Sequence, residues 1–368
     1  MIRILMVLSV VVQHNQAKLV FVAGLWTHGD RAPGNVVYPN DINDESSWPR
    51  GFGALTNRGL KKMYNLGQWL RERYVKEMKL LSPNNIPREV SVQSSDLPVT
   101  VESAQAVMAG LFPAEGNRIW ADKGLTAWQP FYIHTAADSL HDMARSYSCP
   151  LVDSTTSTER SELKRKFDKK HSDLLKRLGI HTGLAPVNFF VLTTLYGIQT
   201  EIDHGLPQPE WINETYEGKK IIDWIREVKT IARASNFNSK QKAHVRAGVL
   251  LSTWIKYLQE AAHNKGPLKA VFGSTHDGTV FPLMYAMGIS DGQLVQPGSL
   301  FLVELHKEES DHLVRLWWRN STDHIYQLSL PSCELDCPLE DFVNQLRPVM
   351  LDMSDVEEAL KKAIWPKR

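Results

Sequence analysis

Three short polar segments of the chain carry residue types that can act together on a phosphate group. They are residues 27–33 (THGDRAP), 94–96 (SSD) and 274–277 (STHD). The imidazole of His28 can serve as nucleophile or base, and the guanidinium of Arg31 presents a fork of donors that fits phosphate oxygens. Each segment alone also fits an ordinary polar loop, and a lone pair such as His276–Asp277 is more often a structural hydrogen bond. Together they predict one site for phosphoryl transfer.

Each polar segment follows a short apolar run of the kind found in buried strands. The runs are residues 18–26, 90–93 and 268–272, and nearly continuous apolar runs suit strands buried on both faces of a parallel sheet. Helical periodicity follows each segment, over residues 60–74, 98–112 and 279–287. Ligands of open α/β sheets bind at the carboxyl ends of the strands. The alternation therefore predicts that the three segments meet in one crevice.

The same alternation predicts an α/β fold with a mixed, mostly parallel central sheet flanked by helices. Two late alternating runs, residues 300–305 and 314–318, are expected to be further strands of that sheet. Residues 149–245 contain long charged stretches of helical periodicity and few β-branched runs, which predicts an inserted, mainly helical cap over the site. The core is then formed by residues 18–148 and 246–350, and residues 351–368 are a C-terminal tail.

Residues 1–17 have the pattern of a cleaved secretory signal peptide. Arg3 supplies the basic region, residues 4–12 the apolar region and Ala17 the small residue before the cut. The alternative is a buried first strand. Secretion would make Asn213 and Asn320 acceptors for N-glycosylation, since each begins an Asn-X-Ser/Thr triplet.

The three cysteines also depend on the compartment. In an oxidising compartment Cys333 and Cys337 could close a small disulfide loop, which leaves Cys149 as a free thiol or an intermolecular partner.

The composition limits the classes of partner. The 368 residues have a net charge of +1, with 43% hydrophobic and 23% charged residues, as in ordinary soluble globular proteins. This balance gives no electrostatic reason to expect nucleic acid or an anionic membrane as partner. No apolar stretch after the N-terminus is long enough for a membrane anchor. A metal-dependent phosphohydrolase built on His141–Asp142 and His276–Asp277 is a further hypothesis, but no cluster of ligands at metal spacing supports it.

The chain resembles the histidine acid phosphatases, the secreted branch of the histidine phosphatase superfamily, from about residue 20 to about residue 342. Besides the three polar segments, the resemblance rests on residues 51–59 (GFGALTNRG), 205–211 (GLPQPEW) and 333–342 (CELDCPLEDF). It implies a phosphoglycerate mutase-like core with an inserted cap, no cofactor and no metal. It also implies a secreted or lysosomal protein that acts on a phosphorylated small molecule or phosphoprotein, and homodimers are frequent in the family.

The resemblance implies a role for each residue of the site. His28 would attack phosphorus and form a phosphohistidine, and Asp277 would protonate the leaving alcohol, which is consistent with an acidic working pH. Arg31 and His276 would hold the equatorial oxygens. Asp30 would orient its neighbours.

Two departures from the family pattern bear on activity. The family has arginine directly before the nucleophilic histidine and a second arginine before the SSD segment, and these positions are Thr27 and Gln93 here. Both side chains can still donate to phosphate, but neutral hydrogen bonds are about half as strong as charge-assisted ones. We therefore expect an attenuated acid phosphatase. The alternative is an inactive phosphatase-like protein that binds an anionic ligand. Cys149 resembles a family half-cystine whose partner has no counterpart here.

Overall fold

The structure, a computed structural model, describes residues 17–121, 128–135, 150–352 and 354. Residues 1–16 of the expected signal peptide, His141–Asp142, Cys149 and almost all of the tail lie outside the described residues. Within the described residues, none of the helices is both long and apolar enough to cross a bilayer.

The first half of the chain alternates strands and helices and then becomes helical. In chain order the elements are β1 (Lys18–Thr27), α1 (Asn57–Arg71, continued by a π-helical turn at Glu72–Glu77), β2 (Val90–Ser94), α2 (Pro98–Leu111), β3 (His134–Thr135), α3 (Pro150–Lys170), α4 (Ser172–Thr182), α5 (Phe189–Thr194), α6 (Gly197–Asp203), β4 (Thr215–Tyr216), β5 (Lys219–Lys220) and α7 (Ile221–Ala234).

The second half returns to the sheet. Its elements are α8 (Lys240–Ala262), β6 (Ala270–Thr275), α9 (Asp277–Ala286), β7 (Leu300–Glu308), β8 (Asp311–Arg319), β9 (Ile325–Leu328), β10 (Cys337–Pro338) and α10 (Leu339–Leu346). Helix α8 begins at Lys240, where the Ser239 hydroxyl caps it by accepting from the Lys242 N–H.

The central sheet is mixed, as predicted, with strand order β10-β8-β7-β1-β6-β2-β3 and β9 beside β8. Strands β1, β6, β2 and β3 run parallel, and β7 to β10 extend the sheet with antiparallel pairs. Thr27 at the end of β1 pairs with Thr275 of β6, and Ser94 at the end of β2 pairs with Ser274. This register brings the three predicted polar segments to one edge of the sheet.

Strand β1 is buried on both faces, which explains its continuous apolar sequence. Phe21 and Leu25 belong to the hydrophobic cluster that includes α8 and α9, whereas Val22 and Trp26 belong to the cluster that includes α1 and α2. Side chains of a strand alternate between its faces, so this one strand joins both cores. Helices therefore flank the sheet on both sides, as the alternation predicted.

Residues of α4, α5, α6 and α7 form a third hydrophobic cluster, separate from the two beside the sheet. Leu178, Phe189 and Ile225 lie in it, and Tyr38 joins it from the long loop after β1. These helices lie within residues 149–245, the segment for which the sequence predicts an inserted cap, and this helical region is called the cap.

Candidate active site

The turn after β1 is fixed by backbone contacts from three directions. The His28 N–H donates to the Thr275 carbonyl at 2.9 Å, and the Gly298 N–H donates to the His28 carbonyl at 3.0 Å. The Gly29 N–H donates to the Ser103 hydroxyl of α2 at 3.0 Å. The position of His28 is thus set by the sheet, by α2 and by the loop before β7.

One ring nitrogen of His28 forms a hydrogen bond, and this bond determines which of the two nitrogens carries the proton. Nδ1 lies 2.8 Å from the Gly29 carbonyl oxygen, and a carbonyl can only accept, so Nδ1 carries the proton and Nε2 keeps its lone pair in the neutral ring. Burial lowers the pKa of His28 from its ordinary value, and the nearby Arg31 cation acts in the same direction. Both effects favour the neutral imidazole, the form that can attack phosphorus.

His276 lies across from His28, with the ring centroids 5.4 Å apart. Its Nε2 is 2.9 Å from the Ser95 hydroxyl at the end of β2. Burial lowers the pKa of His276 to about 4, and the neighbouring His28 adds to the effect. The three predicted segments therefore meet. The second segment takes part in this contact through the Ser95 hydroxyl.

Asp277 begins α9 and makes a contact that sequence reasoning missed. The Arg233 guanidinium of α7 donates to both oxygens of this carboxylate, from Nε at 2.6 Å and from Nη2 at 2.8 Å. Gly278 leaves room for the guanidinium, because a Cβ there would lie 2.7 Å from Nη2. Bidentate geometry of this kind is among the strongest hydrogen-bonded ion pairs in proteins. The cap thus reaches directly into the site.

A cavity of about 350 Å³ opens beside His28. Its charged lining residues are Asp30, Arg31, Lys229 and Asp277. This is within the size range of small-molecule sites. Neither Gln93 nor His276 belongs to the described lining of this cavity.

The two substituted clamp positions are not equivalent. Thr27 is buried, and its hydroxyl donates to the Gln296 carbonyl at 2.8 Å and accepts from the Ser299 N–H at 3.1 Å. Its single proton is therefore engaged, and donation to phosphate would require breaking that bond. Gln93 is half-buried in β2, in register with Gly273 of β6.

Asp30 binds to neighbouring parts of the site wall. Its Oδ2 accepts from the Thr56 hydroxyl and lies 2.6 Å from His204 Nε2 at the end of α6. Thr56 also caps α1 by accepting from the Gly59 N–H. Asp30 thus ties the His28 turn to α1 and to the cap.

The remaining predicted sites lie away from this cavity. Cys333 and Cys337 are joined by a disulfide, and Asn213 is exposed. Asn320 lies in the turn after β8, where its side-chain oxygen accepts from Thr322. Among the described residues, no group of three or more His, Cys, Asp or Glu is placed to hold a metal ion.

Comparison with known proteins agrees with this arrangement. A family model described as the histidine phosphatase superfamily (branch 2) matches residues 18–319. Prostatic acid phosphatase of Homo sapiens is 32% identical over 342 residues, covering 90% of this chain and 86% of the relative. Lysosomal acid phosphatase of Xenopus laevis is 31% identical over 354 residues, covering 94% and 80%.

Solved structures of similar fold include two bacterial phytases. That of Citrobacter braakii superimposes with a TM-score of 0.66 at 19% identity, covering 91% of this chain and 98% of that chain. That of Klebsiella sp ASR1 has a TM-score of 0.67 at 16% identity, covering 95% and 100%. At these identities the likeness concerns the fold alone.

The fold and the paired histidines at its strand ends define a phosphoryl-transfer class of protein. The family match spans all three strand ends that form the site. The chain belongs to branch 2 of the histidine phosphatase superfamily.

Proposed function

We propose that the protein is an acid phosphatase that hydrolyses phosphate monoesters through a phosphohistidine on His28. The observation that supports this most directly is the hydrogen bond from His28 Nδ1 to the Gly29 carbonyl, which leaves Nε2 as a nucleophile beside a cavity. The named relatives, a prostatic and a lysosomal acid phosphatase, support the same activity.

The reaction proceeds in two displacements. His28 Nε2 attacks phosphorus, the bond from phosphorus to the ester oxygen breaks, and Asp277 gives its proton to the leaving alcohol. Water then attacks the phosphohistidine, the bond from phosphorus to nitrogen breaks, and Asp277 takes a proton from the water. Arg31 and His276 stabilise the charge on the equatorial oxygens during both steps.

Turnover is attenuated by the loss of two clamp arginines. Removing one preorganised donor from a transition-state site costs about 100- to 1000-fold. The effects of neighbouring donors are not additive, so the two costs do not simply multiply. Gln93 replaces one donor by a neutral amide, and Thr27 has its proton engaged with the backbone.

The setting of the enzyme is part of the proposal. Residues 1–17 are a secretory signal, Asn213 and Asn320 carry glycans, and the protein is secreted or lysosomal. Residues 149–245 form the cap over a core of residues 18–148 and 246–350. The substrate is a phosphorylated small molecule or phosphoprotein, and a homodimer is suggested by family analogy alone.

The test is hydrolysis of nitrophenyl phosphate at about pH 5, the acidic range expected for a carboxylic general acid. Wild type and His28→Ala are compared side by side. We expect turnover by wild type and none above background by His28→Ala, with a phosphohistidine trapped by rapid acid-free quenching of wild type. Equal rates for the two proteins would contradict the mechanism.

The alternative function is binding of an anion without turnover. The observation that favours it concerns the two lost clamp arginines: the Thr27 proton is engaged by the Gln296 carbonyl, and Gln93 is not part of the described cavity lining. A double variant, Thr27→Arg with Gln93→Arg, separates the two. If wild type is inactive and this variant hydrolyses nitrophenyl phosphate, the native role is binding.

A further inference from the structure

Lys229 of α7 places a cation in the cavity wall on the cap side. Its side chain is half-buried and lines the same cavity as His28 and Arg31. The ammonium lies 5.7 Å from the ring centroid of Tyr196, which also lines the cavity. Lys229 and Arg233 are four residues apart, so both lie on the face of α7 that is turned to the site.

Both carboxylates of the cavity lining already have partners outside it. Asp277 is paired with Arg233, and Asp30 is hydrogen-bonded to His204. Within the described part of the chain, neither Lys229 nor Arg31 forms a salt bridge. Two cations without carboxylate partners therefore face one cavity of about 350 Å³.

Keeping the half-buried Lys229 ammonium charged without an anionic partner costs free energy. Burial lowers the pKa of Lys229, and the nearby Arg233 and Arg31 cations act in the same direction, against the opposite effect of Asp277. Partly desolvated charges are expected to be paired. An anionic ligand would supply the missing partner.

Lys229 and Arg31 have different places relative to His28. Arg31 lies in the same turn as His28, three residues further along the chain, and lines the cavity with it. Lys229 lies one helical turn before Arg233, whose guanidinium binds both oxygens of Asp277. Asp277 is the group that contacts the leaving oxygen in the proposed reaction, so Lys229 stands on the leaving-group side and Arg31 on the phosphoryl side.

We propose that Lys229 binds a second anionic group, a carboxylate or phosphate, on the leaving part of the substrate. The site then selects phosphate monoesters whose alcohol carries a further negative charge. The inference rests on the proposed function in one respect, because it takes the phosphoryl group to bind beside His28.

Binding of inert phosphonates tests the inference without requiring turnover. Propylphosphonate, phosphonopropionate and ethylene bisphosphonate share one chain length and differ only in the far group, which is a methyl, a carboxylate or a second phosphonate. Titration calorimetry measures their dissociation constants for the full chain and for Lys229→Met, which removes the charge and keeps an unbranched side chain. Lys220→Met, which removes the same charge from the exposed start of α7, is the matched control.

We expect Lys229→Met to weaken the two ligands with a second anion by about 10- to 100-fold, the value of a hydrogen bond to a charged group. Propylphosphonate binding should stay unchanged, Lys220→Met should behave as wild type, and Lys229→Arg should retain the preference. Phosphonopropionate and ethylene bisphosphonate are then compared for their loss of affinity in Lys229→Met. The ligand that loses more identifies the second anionic group as a carboxylate or a phosphate.

Two results would overturn the inference. Equal weakening of all three ligands would mean that Lys229 binds the phosphoryl group itself, and no weakening of any would mean that it binds no anion. If wild type binds none of the three, the placement of phosphate beside His28 also fails. If wild type binds selectively but hydrolyses no ester, the proposed catalysis fails while the role of Lys229 stands.

Discussion

The Arg233 guanidinium holds the Asp277 carboxylate by two hydrogen bonds, of 2.6 and 2.8 Å, and so fastens cap helix α7 to the first residue of α9. Both oxygens of the proposed general acid are acceptors in this arrangement. The start of a helix also favours a negative charge. The pair must therefore open, or Arg233 must move to the phosphate, before Asp277 can donate a proton.

Replacing Arg233 tests this requirement through the leaving group. Alkyl phosphates need protonation of the departing oxygen far more than nitrophenyl phosphate does, since the alkoxide is a much poorer leaving group. We expect Arg233→Met to raise kcat on glycerol phosphate relative to nitrophenyl phosphate, by up to about 100-fold, the lower range of what a general acid contributes. The measurement is the ratio of the two kcat values in wild type and variant.

Arg226→Met is the matched control for that experiment, because Arg226 is an exposed arginine of the same helix. It should leave the ratio unchanged. A fall of both rates in Arg233→Met, with a constant ratio, would show instead that Arg233 serves as a phosphate donor.

The environment of His28 predicts where its titration lies. Burial lowers the pKa of His28 below 6.5, and Arg31 adds to the effect. A nucleophilic imidazole must be neutral, so kcat/KM should fall on the acid side only below pH 6.5. In Arg31→Gln the His28 resonance, followed by NMR in the free protein, should titrate at higher pH than in wild type. An unchanged or lower titration would contradict the proximity of Arg31 and His28.

The meeting of the three strand ends could be predicted from the sequence. Apolar runs followed by polar turns fix both the strands and the edge on which their ends lie, and the register of Thr27 with Thr275 confirms it. The helices between Pro150 and Ala234 could also be predicted, from charged stretches of helical periodicity with few β-branched runs. These features depend on periodicity and composition, which local sequence carries.

The cap's contribution to the site could not be predicted. Lys229 and Arg233 lie in a charged stretch that reads as a solvated helix face, and exposed Arg226 in the same stretch is such a residue. Which charge faces the core depends on how α7 packs, and that depends on distant residues. The bond from the Thr27 hydroxyl to the Gln296 carbonyl joins residues far apart in sequence and leaves no local signal either.

Gly59 allows α1 to approach the His28 turn, and its replacement should disturb both stability and activity. A Cβ at Gly59 would overlap the backbone oxygen of Asp30, whereas nothing lies within 4 Å of a Cβ built at Gly34. We expect Gly59→Ala to lower the free energy of unfolding by about 1–3 kcal/mol, as overpacking does, and to reduce kcat by displacing the turn. Urea unfolding and initial rates measure both, with Gly34→Ala as the control that should retain wild-type stability. Equal stability of the two variants would contradict the contact.

A buried carboxyl, that of Glu201, lies between the cap and the long loop after β1. Glu201 of α6 is buried and accepts from Asn43 at 3.1 Å and from Gln208 at 2.8 Å. Burial raises the pKa of Glu201 to about 7, and a hydrogen-bonded Asp41 nearby adds to the effect. The folded protein therefore holds this proton more tightly than the unfolded chain, whose glutamate has the ordinary value of 4.5.

The sign of the pH effect follows from linkage. Between pH 4.5 and about 7 the folded state binds more protons at Glu201 than the unfolded state, so stability falls as pH rises through this range and levels off above it. Glu201→Gln, which keeps the shape without the titration, should abolish that part of the slope, and the exposed Glu210→Gln should not. Urea unfolding at several pH values from about 4 to about 8, the range in which Glu201 titrates, measures the difference in the pH slope of stability. A slope in Glu201→Gln as steep as in wild type would assign the pH dependence to other groups. Loss of the Glu201 proton at neutral pH would therefore weaken the contact between the loop and the cap. At the acidic pH proposed for catalysis, the protonated carboxyl would preserve this contact.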